Sequence, residues 1–170
     1  MEFIIKSRKY GEIIVLIDED DFEKVSKHKW RVLNDTKRNV LYIRTSYWEG
    51  EQRKDLFIHR LIMNTPKGLM TDHINGNPLD NRKSNLRICT NSENQHNSIK
   101  HRGNKTSIYK GVSYYKRDKN WECRIIVNKE PVRLGKYKTE DQAALAYNVA
   151  ALQHFGEFAR FNNVMAHRGI

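Results

Sequence analysis

The sequence predicts an α+β protein: a β-rich N-terminal part closing in a strand–loop–strand–helix motif, then a three-stranded antiparallel sheet packed on one α-helix. Three observations lead there. Short runs rich in Val, Ile, Tyr and Trp recur between clusters of Asn, Asp and Gly, the punctuation of strands and turns. The one long helical pattern comes late, at residues 143–152, behind the capping-box signal of Thr139 and Gln142. Between the two patterns, residues 98–107 are polar, contain Gly103 and carry four basic side chains or imidazoles, Lys100, His101, Arg102 and Lys105, as a basic linker would. The predicted division is therefore 1–97, 98–107 and 108–170.

Taken in order, residues 1–9 read as a first strand or an arm, Tyr10-Gly11 as a turn, and 12–17 as a buried strand. The acidic cluster at 18–21 suits a helix N-terminus, where carboxylates meet the positive end of the dipole, so 22–28 is a short helix. Residues 30–33 and 40–47 are paired strands, 49–54 a polar turn, and 55–63 an apolar run containing His59. From Met70 the chain offers Asp72-His73, then a loop at 75–85 with Gly76 and Pro78, then the alternating strand 86–89. Thr90 and Glu93 form a second capping box, so Asn94 and Asn97 share a helix face. Beyond the linker, strands are expected at 109–115, 121–128 and 132–137. In the middle one Trp121, Cys123, Ile125 and Val127 alternate with outward Glu122, Arg124 and Ile126. The helix that follows presents Ala143, Ala146, Tyr147 and Ala150 to the sheet and stops at Gly156.

Charge bounds the partner. The 170 residues carry a net charge of +11, which implies a polyanion. Residues 98–170 hold 14 Lys+Arg against 6 Asp+Glu, so the grip is expected there. No apolar run approaches the ~20 residues of a membrane span, and no secretory signal pattern opens the chain. Cys89 and Cys123 sit in separate strand-like runs and fit reduced thiols better than a disulfide framework or zinc cluster.

The motif at 70–97 brings a carboxylate, an imidazole and amide oxygens toward one place. Magnesium is usually held by one or two carboxylates, with phosphate and water completing its shell; Asp72 and an amide oxygen from Asn94 suffice. His73, pointing the other way along its strand, is suited to act as general base on a water. Metal clamp and base together make a phosphodiester hydrolase. The stretch resembles the HNH nuclease motif, the β-β-α-metal site of phage and intron-encoded endonucleases. The resemblance rests on Asp72-His73, Asn85, the sequence Asn85-Leu86-Arg87, the helix Asn94, and the upstream Phe57-Ile58-His59-Arg60-Leu61. It implies that His73 is the base, that Asn85 orients the base or the phosphate, and that Asp72 and Asn94 hold Mg²⁺ or Mn²⁺. Asn94 stands where the naming histidine of the motif stands, a variant common in the intron-encoded branch. Asn97 matches a second helix Asn. His59 is first a structural residue and only second a candidate for catalytic contact.

Residues 108–163 resemble the plant apetala-two/ethylene-response-factor DNA-binding domain, which also occurs fused to HNH nucleases. The matching residues are Tyr109-Lys110-Gly111-Val112, Trp121 with Ile125, Leu134-Gly135-Lys136-Tyr137, the helix from Ala143 to Asn148, Gly156 and Asn162. Several base-reading positions of the plant members are here Ser113, Tyr115, Arg124, Ile126 and Arg133, so the fold carries over and the plant target sequence does not. The DNA-contacting set expected is Arg102, Lys105, Lys110, Tyr115, Arg117, Arg124, Arg133 and Lys136, with Arg best shaped for guanine and Lys for phosphate. Together the resemblances imply a homing-type endonuclease acting as a monomer on double-stranded DNA, with no membrane and no small-molecule substrate, in the cytoplasm of a bacterial or phage-infected cell. The rival from another class is a DNA-binding regulator with an inactive nuclease site.

Overall fold

The computed structural model describes residues 1–36, 39–98 and 106–164. It is a mixed α and β chain of small antiparallel sheets and short helices, compatible with α+β, and divides into two compact units, Met1–Gln95 and His96–Ile170.

In the first unit β1 (Glu2–Ser7) and β2 (Gly11–Leu16) form a hairpin. A 3₁₀ turn at Glu19–Asp21 runs into α1 (Phe22–Ser26), shorter than the helix expected over 22–28. β3 (Arg31–Asp35), β4 (Val40–Glu49) and β5 (Gln52–Phe57) make a sheet in that order. Here the polar stretch at 49–54 is mostly strand: only Gly50-Glu51 turn, because Trp48 and Tyr47 pair with Arg53 and Lys54. The apolar run after it is not extended throughout; α2 (Ile58–Ile62) takes its centre and buries Ile58, His59 and Ile62. β6 (Met70–His73) then pairs with β7 (Leu86–Cys89), and α3 (Asn91–His96) follows. Ile5, Val15, Ile17, Val25, Ile43, Ile58, Ile62 and Leu86 form the core. Only one face of the β1–β2 hairpin is covered, so Ile14 is half exposed although its run reads as a buried strand.

In the second unit β8 (Val112–Tyr115), β9 (Asn120–Val127) and β10 (Glu130–Tyr137) form an antiparallel sheet in the order β10-β9-β8. α4 (Glu140–Phe155) is capped by Thr139 and Gln142 in a reciprocal box. Its buried face is Ala143, Ala144, Tyr147, Ala150 and Ala151; Ala146, expected there, is only half-buried, because Ala144 and Ala151 turn toward the sheet in its place. Gly111 (φ 77°) lies under Tyr147: a Cβ there would come within 2.2 Å of the ring. Cys89 and Cys123 are both buried and unpaired, and burial pushes each thiol up to about 11. No helix among the described residues is long and apolar enough to cross a membrane.

Candidate active site

Sequence dictates the frame of the site. β6 and β7 are four-residue strands paired so that Asp72 faces Arg87 and His73 faces Leu86. Successive strand residues point to opposite faces, so the carboxylate and the imidazole diverge from adjacent positions, and both are buried. Asp72 Oδ2 accepts from Arg87 Nε at 3.0 Å and Nη2 at 2.8 Å. This forked pair is nearly closed off from solvent, and charge-assisted bonds from two nitrogens to one oxygen fix direction as well as energy.

His73 Nε2 lies 3.2 Å from Asn81 Oδ1, and its ring meets the His59 ring edge-on at a centroid distance of 5.0 Å. Burial lowers the His73 pKa below the ordinary value, opposed by the Asn81 hydrogen bond and by the negative Asp72 and Asp80. His59 is buried deeper. Desolvation, with the neighbouring His73 and Arg60, brings its pKa down to about 3, so it is neutral at physiological pH. Phe57 stacks on it at 5.4 Å, and its Nδ1 has no hydrogen-bond partner among the described residues.

The asparagine-rich stretch between the two strands reads as a plain loop but is cross-linked side chain to backbone. Asn85 Oδ1 accepts from Asn75 N at 3.0 Å, and Asn85 Nδ2 donates to Asn75 Oδ1 at 3.1 Å and to the Asp80 carbonyl at 2.8 Å. Asn77 N donates to Asn75 Oδ1, and Leu79 N to Asn77 Oδ1, the Asx-turn habit that makes asparagine a turn residue. Arg82 forks onto Asp80 at 2.8 Å through both nitrogens, and this hydrogen-bonded guanidinium lowers the Asp80 pKa. The loop is pinned from outside as well: Leu16 N donates to the Leu79 carbonyl at 2.8 Å and Asn81 N to the Leu16 carbonyl at 2.7 Å. Thus the N-terminal hairpin, which carries no chemistry of its own, holds the loop in shape.

α3 begins on the expected box, Thr90 N and Oγ1 donating to Glu93 Oε2 at 2.7 and 2.8 Å. It carries Asn94, whose Nδ2 donates to Met70 Sδ at 3.6 Å. Met70 stands two residues before Asp72 and so on the same face of β6, which puts Asn94 on the Asp72 side. Asn97 is buried just past the helix end. Among the described residues no three His, Cys, Asp or Glu gather as a metal cluster. A donor set of one carboxylate and one amide oxygen fits a hard cation that keeps its waters, such as Mg²⁺, and not a closed zinc site. Sequence reasoning missed Asn81 and Arg87. Arg87 stands in the Asn85-Leu86-Arg87 stretch of the resemblance with no role attached to it, and alternates with Leu86 on the strand opposite Asp72; nothing local separates Asn81 from the other loop asparagines.

In the second unit the sheet face opposite α4 gathers most of the expected DNA contacts. Arg124 pairs with Arg133, Lys136 with Glu122, and Tyr115 with Asn120, all on the face away from buried Cys123 and Ile125. Glu122 is buried there between Arg124 Nη2 at 2.6 Å and Arg133 Nε at 2.9 Å. Arg117 and Lys136 flank the Tyr115 ring at 5.4 and 5.6 Å from its centroid, and both pair with Asp118. Lys110 differs from its neighbours: Nζ donates to the His96 and Ser98 carbonyls at 2.7 and 2.8 Å, and burial, with Arg160 adding, brings the amine down to about 8. Arg102 and Lys105 lie outside the described residues. Asn162 closes the unit, its side chain bonded to both backbone groups of Lys110 and its backbone to the Asn148 amide.

A family model described as HNH endonuclease matches residues 57–96, which span α2 to α3. An uncharacterized HNH endonuclease of Acanthamoeba polyphaga mimivirus is 32% identical over 171 residues, covering 95% of this chain and 85% of that protein. Protein 3.8 of Escherichia phage T7 is 33% identical over 96 residues, 56% of this chain and 78% of that protein. The family match over residues 57–96 and the near full-length similarity to the mimivirus protein point to the same family. The chain belongs to the HNH endonuclease family and is a nuclease.

Proposed function

We propose that the protein is a site-specific DNA endonuclease of the homing type, hydrolysing a phosphodiester with His73 as general base and a divalent cation, Mg²⁺ or Mn²⁺, held by Asp72 and Asn94. The observation that carries this reading is a buried imidazole one residue from a carboxylate on a β-β-α motif, with each side chain held by a named partner. Neutral His73 takes the proton of an attacking water, a role worth about 10²–10⁴-fold in rate. Arg87 fixes the direction of the Asp72 carboxylate. Asn85 keeps the loop that carries Asn81 in shape and so acts on the base at one remove. When bound, the cation supplies charge stabilisation to the phosphate.

Residues 108–170 are assigned the role of an apetala-two/ethylene-response-factor-type DNA-binding module. Its reading face is the one bearing Tyr115, Arg117, Arg124, Arg133 and Lys136, with Arg102 and Lys105 of the linker adding phosphate contacts. Lys110, whose amine is already engaged by two carbonyls, is the weakest member of the set. The protein is assigned to double-stranded DNA as a monomer. The test is nicking of supercoiled plasmid with Mg²⁺, with and without chelator, by the native protein and by His73→Ala. The expected result is chelator-sensitive cleavage that His73→Ala lowers at least about 100-fold, with DNA binding retained. Undiminished cleavage by His73→Ala overturns the base assignment.

A further inference from the structure

Asn81 is fully buried, and its amide is fixed at both ends. Nδ2 donates to the Pro78 carbonyl at 3.1 Å, and a carbonyl accepts only from a donor. The nitrogen must therefore face Pro78, and Oδ1 must face His73 Nε2 at 3.2 Å. An amide oxygen is an acceptor only, so Nε2 is the ring nitrogen that bears hydrogen. The backbone leaves no slack: Asn81 N donates to the Leu16 carbonyl at 2.7 Å, and Leu16 N donates to the Leu79 carbonyl two residues before it. Turning the amide over would set two oxygens against each other at Pro78. Moving the ring proton to Nδ1 would set two lone pairs against each other at Asn81. Both alternatives lose a buried hydrogen bond.

We propose that Asn81 is a positioning residue that locks His73 in the tautomer with its proton on Nε2 and its lone pair on Nδ1, making Nδ1 the atom that accepts the proton of the attacking water. In that step the water's O–H bond breaks toward Nδ1 and its oxygen bonds to phosphorus. The bond from phosphorus to the leaving ester oxygen then breaks, and solvent supplies that oxygen's proton. The tautomer assignment rests on the hydrogen bonds alone; the catalytic consequence rests on the proposed role of His73.

The first readout needs no variant of Asn81. Long-range ¹H–¹⁵N correlation spectra of the metal-free, full-length protein at pH 8, with ¹⁵N-labelled histidine, distinguish the two tautomers, and the His73 signals are those lost in His73→Gln. Nε2 is expected to show the pattern of a protonated ring nitrogen and Nδ1 that of an unprotonated one. The reverse pattern overturns the proposal. Asn81→Leu is expected to mix the two tautomers and lower kcat for plasmid nicking about 10²–10⁴-fold, the full worth of a base in the wrong state, while KM changes less than about twofold. Asn81→Asp keeps an acceptor for Nε2 but sets a carboxylate oxygen against the Pro78 carbonyl, so it is expected to keep the Nε2-protonated pattern at reduced stability. Full activity with an unchanged pattern in Asn81→Leu overturns the proposal, as does an Nδ1-protonated pattern in Asn81→Asp. If Asn81→Leu fails to fold, the native spectrum decides. Cleavage surviving in His73→Ala would remove the base role while leaving the tautomer assignment standing, so the two failures are told apart.

Discussion

Arg87 and Asp72 face each other across two strands, each nearly buried. Breaking a buried pair by removing one partner typically lowers stability by about 3–5 kcal/mol. Arg87→Ala is therefore expected to lower stability by about that amount in urea unfolding, with the midpoint shifted and the slope kept. Arg87→Lys should recover only part, since an ammonium cannot fork onto one carboxylate oxygen as the Nε and Nη2 pair does. His59 makes a separate prediction. Folded, it resists protonation down to about pH 3, whereas its ordinary value is 6.5. Between those values the unfolded chain binds the extra proton, so stability must fall as pH falls through that window. Thermal melts of the native protein should drop between pH 7 and pH 4, and His59→Phe should flatten that drop; a melt profile equally steep in the variant would refute the assignment. The sequence showed His59 in an apolar run, hence structural. That it lies edge-on against His73 came only from the placement of α2 beside β6.

At the scale of elements, local chemistry was legible wherever it was self-contained. Both capping boxes, Thr90 with Glu93 and Thr139 with Gln142, form as written, because each needs only residues three apart. Of the strands of the second unit, the second and third lie within one or two residues of the expected bounds, while the first starts at Val112 rather than at 109. The strand at Gln52–Phe57 and the helix at Ile58–Ile62 were not. A polar edge strand has no periodic signature, and a five-residue helix is held by tertiary burial of Ile58, His59 and Ile62 rather than by propensity. Gly111 offers the sharpest test at this scale. Its φ is 77°, and a Cβ would stand 2.2 Å from the Tyr147 ring and 2.5 Å from the Arg124 carbonyl oxygen. Strain and collision together should make Gly111→Ala destabilising by at least about 2 kcal/mol, read by chemical denaturation. A neutral outcome would mean that β8 and α4 can separate at little cost.

At the scale of the whole molecule, the net charge of +11 makes binding to DNA strongly salt-dependent, because each neutralised phosphate releases counterions. The logarithm of the association constant is expected to fall linearly and steeply with that of salt concentration. Arg133→Gln should reduce the slope by about one if Arg133 meets phosphate; if it meets a base edge instead, the loss should depend on sequence rather than on salt. A single substitution is the right probe, since Arg124 still neutralises the buried Glu122 carboxylate when Arg133 is gone.

Composition, alternation and the spacing of Asp72, His73, Asn85 and Asn94 were enough to determine a basic α+β chain with a nuclease motif, because residue type and short-range spacing carry those facts. The partners of the reacting groups were decided in three dimensions. Arg87 reaches Asp72 only through strand register. Asn81 is held at His73 by the N-terminal hairpin, more than sixty residues upstream, whose Leu16 hydrogen-bonds the Leu79 carbonyl and the Asn81 N–H. Several asparagines of equal standing fill that loop, and burial, a property of the folded whole, selects the one that touches the base.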